Sequence, residues 1–220
     1  MELRIADSPE GAPDSQFEIR DFHSGLKLLH DFYSRPALDV ANDLLGKVLV
    51  RRFNRQNLAG RIVETEAYVG PHDLACHASK GKTARTEIMF GPAGYAYVYM
   101  IYGFYHCLNV VTDSEGYPSA VLIRGIEPLE NVEVMRKLRH DPPKDTAIGS
   151  GPGKLCRAMS IDKQLNGEDL AGKILWIEDR HFRPESIRTS PRVGIDYAGE
   201  YKDKPWRFFI NSNPHVSRFR

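Results

Sequence analysis

Residues 47–53 (KVLVRRF) and 60–69 (GRIVETEAYV) carry β-branched and apolar residues at a period of two. That spacing puts alternate side chains on opposite faces of a strand. The same pattern returns at 95–102 (YAYVYMIY), 107–113 (CLNVVTD) and 119–126 (SAVLIRGI), then more briefly at 173–179 (KILWIED) and 206–210 (WRFFI). Gly, Asp and Ser separate most of these runs, as turns require. Residues 34–47 (SRPALDVANDLLGK) have a different period: Leu38, Ala41, Leu44 and Leu45 share one helical face, with Pro36 near the start and Gly46 at the end. Short helices are also predicted over 22–32, 130–139 and 153–161. Clustered strands with helices outside them predict an α+β fold. The expected architecture is a single domain over 31–220, a mostly antiparallel curved sheet with a protruding hairpin, surrounded by helices. Residues 1–30 mix Pro, Gly, Ser and Asp with little period and read as an N-terminal arm, mobile in part.

A chain of 220 residues, 41% hydrophobic and 27% charged, has enough apolar material for one core and is neither disordered, collagenous nor coiled coil. No apolar run reaches the roughly 18 residues of a membrane span, and the N-terminus lacks a basic start leading into an apolar stretch. Three cysteines without a CxxC pair argue against a disulfide framework or zinc ribbon, so a reduced, intracellular protein is expected. The formal net charge of +1 conceals a split: residues 1–30 carry −3 and the rest +4. Arginine outnumbers lysine 19 to 11, a bias suited to forked contacts with phosphate.

Four segments hold candidate chemistry. On a strand, Glu64, Glu66 and Tyr68 share one face with Ile62, where like charge and apolar surface raise a carboxyl pKa toward general-base use. Strand parity does not choose between the glutamates, and a solvated face of ion pairs is the competing reading. Half of the ten tyrosines fall between 95 and 105. Tyr95, Tyr97 and Tyr99 alternate onto one face as a stacking platform for bases, or as a cross-strand aromatic ladder. Tyr102, next to Gly103, suits a projecting hairpin tip able to wedge between base pairs. His72, Cys76 and His77 lack the partner spacing of a zinc site or a base deaminase, so no metal is assigned. Gly149 to Lys154 resembles a phosphate loop, but Ile148 and Leu155 stand where that motif needs Gly and Ser or Thr, which excludes nucleotide hydrolysis.

Taken in order, residues 61–77 (RIVETEAYVGPHDLACH), 89–111 (MFGPAGYAYVYMIYGFYHCLNVV), 120–130 (AVLIRGIEPLE), 151–156 (GPGKLC) and 192–200 (RVGIDYAGE) resemble the alkyladenine (3-methyladenine) DNA glycosylases of the mammalian type. The resemblance runs from about Leu45 to Val216. It implies that Glu66 activates the water attacking C1′ of a damaged nucleotide and that Arg124 helps hold that water. It implies a flipped-base pocket lined by Tyr68, His77 and Tyr99, with Asn109 crowding out the 2-amino group of guanine. It further implies that Tyr102 fills the gap left in the duplex and that Met89 and Arg85 contact the DNA. The family's Thr-Pro-Arg-Asn run is here Thr83-Ala84-Arg85-Thr86, which bears on the conformation of that loop. The expected activity is monofunctional hydrolysis of the N-glycosidic bond of alkylated or deaminated purines, with no cofactor and no Schiff-base lysine. Burial is expected to be countered by Arg124, holding the Glu66 pKa down. The expected partner is double-stranded DNA containing a damaged purine, bound by a monomer, in the cytoplasm of a bacterial-type cell or the nucleus of a eukaryotic one, without membrane or nucleotide cofactor. The competing functions are a non-catalytic nucleic-acid-binding module built on the tyrosine face, and a metal-dependent nuclease using Glu64, Glu66 and His77.

Overall fold

A computed structural model describes residues 25–218. Among these residues nine strands form one sheet: β1 (Leu26–Lys27), β2 (Val48–Phe53), β3 (Gln56–Tyr68), β4 (Ala96–Ile101), β5 (Tyr105–Thr112), β6 (Ser119–Glu130), β7 (Leu175–Asp179), β8 (Ile187–Ser190) and β9 (Arg207–Ile210). Four α-helices accompany them: α1 (His30–Tyr33), α2 (Ala37–Asp43), α3 (Val132–Leu138) and α4 (Pro152–Ala158). The strand order is β1-β7-β2-β3-β6-β5-β4, and the strand pairs are antiparallel. The α+β reading is therefore correct. No helix among the described residues is long and apolar enough to cross a membrane.

The 13-residue β3 is the organising strand. Residues 59–68 of it run along β6, while its other edge is shared, with β2 on residues 56–61 and β9 on residues 64–66. The period-two pattern explains the layers: Thr65 and Ala67 face α2, where the Thr65 hydroxyl donates to the Ala41 carbonyl at 2.8 Å. Val40, Ala41 and Leu44 of the α2 segment join Leu49, Val63, Ile123 and Leu155 in the main apolar core. Pro36 and Gly46 (φ +89°) bracket that helix as their backbone preferences require.

Two elements differ from the sequence reading. The helix expected over 22–32 is a single turn, His30–Tyr33, preceded by edge strand β1 on β7. A segment this short has little helical stability of its own, and the open backbone of β7 offers it partners. Residues 1–24 of the expected arm lie outside the described residues, and residues 26 and 27 of it belong to the sheet. Strand β8 was not foreseen, because its four residues IRTS are only partly covered and carry no apolar alternation.

Between β6 and α4 the chain packs backbone to backbone. The Ile126 amide donates to the Gly149 carbonyl at 3.1 Å, and Gly125 bridges to Ser150. A Cβ on Gly149 would lie 2.5 Å from Ile126 Cγ1 and 2.7 Å from the Ile126 carbonyl oxygen. Gly149→Ala is therefore expected to cost about 1–3 kcal/mol by overpacking, read as a lower urea midpoint at unchanged m-value. A wild-type midpoint would contradict this account of the β6–α4 contact.

Candidate functional site

The β3–β6 ladder is irregular where the charged residues sit. Ile62 pairs with Ile126, Glu64 with Gly125 and Thr65 with Ile123, leaving Val63 unmatched on β3 and Arg124 unmatched on β6. Paired bulges of this kind re-aim side chains. They break the alternation, so Ile62 and Val63 both enter the main core and the expected row shortens to Glu64, Glu66 and Tyr68. All three meet Arg124 or its partners. Arg124 Nε donates to Glu64 Oε1 at 2.9 Å, and Arg124 Nη1 lies 3.3 Å from Glu66 Oε1. Both glutamates are fully buried. The solvated-face reading is thereby excluded for them.

Their environments differ. Glu64 accepts from Arg124, from Arg207 Nε at 2.7 Å, and from the Ser217 amide and hydroxyl at 2.7 and 2.8 Å. Burial works to raise its pKa, but Arg124, Arg207 and the Ser217 amide together lower it below the ordinary carboxyl value. Glu66 accepts from the Val193 amide at 2.8 Å and the Tyr68 hydroxyl at 3.0 Å. Its burial outweighs Arg124 and these bonds, so its pKa is raised. Arg124 opposes that rise without cancelling it, contrary to the expectation from sequence. Both Glu64 oxygens are occupied by cationic, hydroxyl and amide donors, an arrangement unlike that of a metal ligand.

The Val193 amide is delivered by a buried ion pair. Arg192 meets Asp73 through Nη1–Oδ2 at 2.5 Å and Nη2–Oδ1 at 2.8 Å, with both side chains fully buried. The guanidinium lies between the Tyr68 and Trp206 rings, 4.8 and 4.9 Å from their centroids, and also donates to the Ala67 carbonyl. Asp73 accepts from the Val69 and Ala75 amides as well. One pair thus ties the loop leading to His77 and the loop carrying Val193 to the end of β3.

The residues that hold Glu66, namely Tyr68, Arg124 and Val193, line a cavity of about 200 Å³, and Glu66 itself is buried behind them and not part of its lining. Tyr68, His77, Tyr99 and Asn109 all line it. Tyr97 and Tyr99 have ring centroids 5.2 Å apart, and His77 meets Tyr99 edge to face at 4.5 Å. Tyr95 is not part of this row: it lies outside β4, bridges to Asp169 and faces the His30 ring. His77 Nδ1 is 2.9 Å from the Tyr97 hydroxyl, and burial with the nearby Arg85 pushes the imidazole down to about 4, so it is neutral at pH 7. The Asn109 amide donates to the Tyr97 carbonyl at 3.2 Å, which fixes its orientation. Arg85 is exposed at the rim, 5.1 Å from the Tyr99 ring centroid. In its loop the Thr83 amide donates to the Thr86 hydroxyl and the Thr86 hydroxyl to the Gly81 carbonyl, so two threonines hold the turn.

Met89 is 2% exposed and lines the inner wall with Tyr97 and Cys76 behind it. In this position Met89 presents almost no surface of its own to a duplex, because its helical turn directs it into the second apolar cluster. Among the exposed apolar residues, Met100, Tyr102 and Phe104 lie on the β4–β5 hairpin. Tyr102 (φ +54°) is 79% exposed and Phe104 67%. Phe104 was missed, although its place two residues beyond Tyr102 in the same turn was a signal. Glu64's role at Arg124, and the contributions of Arg192, Arg207 and Ser217, were also not read from sequence, because their partners lie 60 to 153 residues away.

Residues 31–214 match the methylpurine-DNA glycosylase family. The chain is 56% identical over 192 residues, 87% of its length, to a protein of Methanocella arvoryzae, covering 96% of that protein. It is 50% identical over 201 residues to one from Alkaliphilus oremlandii, covering 88% of this chain and all of that one. A Legionella pneumophila protein is 48% identical over 193 residues, 87% of this chain and 98% of its own. Each bears the name "Putative 3-methyladenine DNA glycosylase".

Asp73→Asn breaks the buried pair and leaves Arg192 uncompensated, an expected loss of about 3–5 kcal/mol. Urea unfolding followed by tryptophan fluorescence, with Trp206 against the guanidinium, measures it. A change below about 1 kcal/mol, the level of an exposed pair, would show that the pair does not latch the two loops.

Proposed function

The chain belongs to the methylpurine-DNA glycosylase family and is a 3-methyladenine DNA glycosylase of DNA repair, and on that premise we propose that its cavity receives a damaged purine flipped out of duplex DNA, with Glu66 as the base that activates water. The observation carrying this reading is a buried carboxylate of raised pKa whose three partners, an arginine, a tyrosine and the residue of a backbone amide, all line an aromatic cavity.

Extrusion costs a few kcal/mol, less for a mispaired or damaged base. Stacking on Tyr68, His77 and Tyr99 returns a comparable amount, the His77–Tyr99 contact giving way to the base. Neutral His77 places no charge against a cationic alkylated purine, and the tyrosine faces attract one. The pinned Asn109 amide cannot swing away from a 2-amino group, which disfavours guanine. Glu66 Oε2, bonded to Tyr68, keeps a second lone pair for water. As that water adds to C1′, its proton passes to Glu66 and the N-glycosidic electron pair leaves with the base. Arg124 orients the carboxylate and water. Cavity-lining residues include no lysine among those described, in keeping with hydrolysis rather than Schiff-base chemistry. Tyr102 and Phe104 are suited to the space vacated in the duplex, and Lys154 and Arg218, in the adjoining cleft, to its phosphates.

Single-turnover release of hypoxanthine or an alkylated purine from duplex DNA in EDTA tests this reading. Glu66→Gln is expected to reduce the rate about 10²–10⁴-fold with duplex binding retained; retained release would remove Glu66 from the mechanism, and no release by wild type would leave a nucleic-acid-binding module. Because the base must be ionised and burial raises its pKa, the rate should fall with decreasing pH at a midpoint above the ordinary 4.5. A midpoint at or below 4.5 contradicts the assignment. Tyr102→Ala should weaken the flipped state by about 1–3 kcal/mol, slowing release from duplex but not from single-stranded substrate; equal losses on both would rule out the wedge.

A further inference from the structure

Glu64 has no place in the reaction just described, yet it is more heavily bonded than Glu66 beside it. It is fully buried and receives four hydrogen bonds from three elements: Arg124 on β6, Arg207 on β9, and the amide and hydroxyl of Ser217 in the turn after β9. Arg207 Nη2 also donates to the Ser217 carbonyl, closing the arrangement on itself. The Gly125 Cα stands against it, so that a Cβ there would lie 3.3 Å from both Glu64 Cβ and Oε2. Each donor is oriented, and the carboxylate has no latitude to turn.

That rigidity is transmitted to one place. Arg124 is the unmatched residue of the β6 bulge, so the regular ladder does not fix its side chain. Its Nε is held by Glu64 while Nη1 reaches Glu66. We propose that Glu64 is a positioning residue for base release: it fixes the Arg124 guanidinium beside Glu66, and is itself held by β9 and the C-terminal turn through Arg207 and Ser217. The proposal rests on the reading of Glu66 as the base. It makes the last turn of the described chain part of the catalytic apparatus, although Ser217 touches neither Glu66 nor Arg124 in any bond of its own.

Charge bookkeeping gives the proposal a signature that a purely structural role lacks. The groups facing Glu66 are Glu64 and Tyr68 on its own strand, Arg124 from β6, Cys107 from β5, and, beyond Tyr68, Tyr99 from β4 and Arg192 from its loop; Arg207 from β9 acts through Glu64. Glu64 repels the Glu66 carboxylate and neutralises part of Arg124. Removing its charge favours ionised Glu66 on both counts. Removing Arg207 leaves Glu64 less compensated and disfavours it.

The test is the pH dependence of single-turnover base release by the full chain, with duplex affinity measured in parallel. Glu64→Gln is expected to lower the plateau rate at least about ten-fold with affinity unchanged, because a neutral amide, with an NH2 where the carboxylate offered a second acceptor to Ser217, holds Arg124 less firmly. The acid midpoint should move down by about half a unit or more. Arg207→Gln should move the same midpoint up, and serves alone if Glu64→Gln does not yield a folded protein. Ser217→Ala, which keeps every charge, should slow release about three-fold with the midpoint unmoved. Midpoints of both charge variants equal to wild type, or shifts in the same direction, would overturn the proposal. So would a wild-type plateau rate in Glu64→Gln. Glu66→Gln in the same assay separates the two readings: if it still releases base, the assignment of Glu66 fails whatever Glu64 does.

Discussion

A single guanidinium, that of Arg124, lies between two carboxylates in the interior of the sheet, and much of the molecule is arranged around that contact. Burying three charges is costly, and attraction offsets the cost only where the remaining polar atoms are satisfied. Here they are satisfied unequally. Glu64 has two arginines and a hydroxyl on Oε1 and an amide on Oε2, whereas Glu66 has one amide, one phenol and a share of Arg124. Two carboxyls on one strand face thereby move in opposite directions, one toward permanent ionisation and the other toward proton exchange. Such divergence between neighbouring acids is how one site acquires both an electrostatic anchor and a base.

The pair cannot be understood from β3 alone. Its donors come from β6, β9, the turn after β9 and the loop at 192–194, and each reaches the site through a separate device. The β6 bulge turns Arg124 inward. The sharing of one β3 edge between β2 and β9 brings Arg207 alongside, and the Asp73–Arg192 pair seats Val193. That latch also anchors the loop leading to His77, so the wall of the cavity and the orientation of the base depend on the same buried ion pair. The position of Glu66 and the wall of the cavity are mechanically coupled.

The tyrosine-rich hairpin divides into an inward and an outward part by geometry. Tyr97 and Tyr99 turn inward to the cavity, while the backbone reverses at Tyr102 and Gly103, both at positive φ, and leaves Tyr102 and Phe104 outside. A large aromatic at a tip in open solvent has no folding purpose, since it buries little area. Tyr105, next in sequence, lies against Gly153 at the start of α4, where a Cβ would come within 2.8 Å of the ring, so the root of the hairpin is held while its tip projects.

The period-two runs at 47–53, 60–69 and 95–126 determined the strands and, with the helix at 34–47, the α+β class, because alternation is a local property that survives any tertiary arrangement. The ordered motif segments determined the family. Sequence could not decide which of Glu64 and Glu66 has the raised pKa, since that depends on donors far along the chain. Nor could it show that Met89 faces inward, that Phe104 faces out, or that Ile62 leaves the carboxylate row, because a bulge of one residue reverses the sense of a strand without changing its composition. Local pattern fixes which elements form; register, bulges and long-range ion pairs, which exist only once the sheet has closed, decide where each side chain points and what charge it carries.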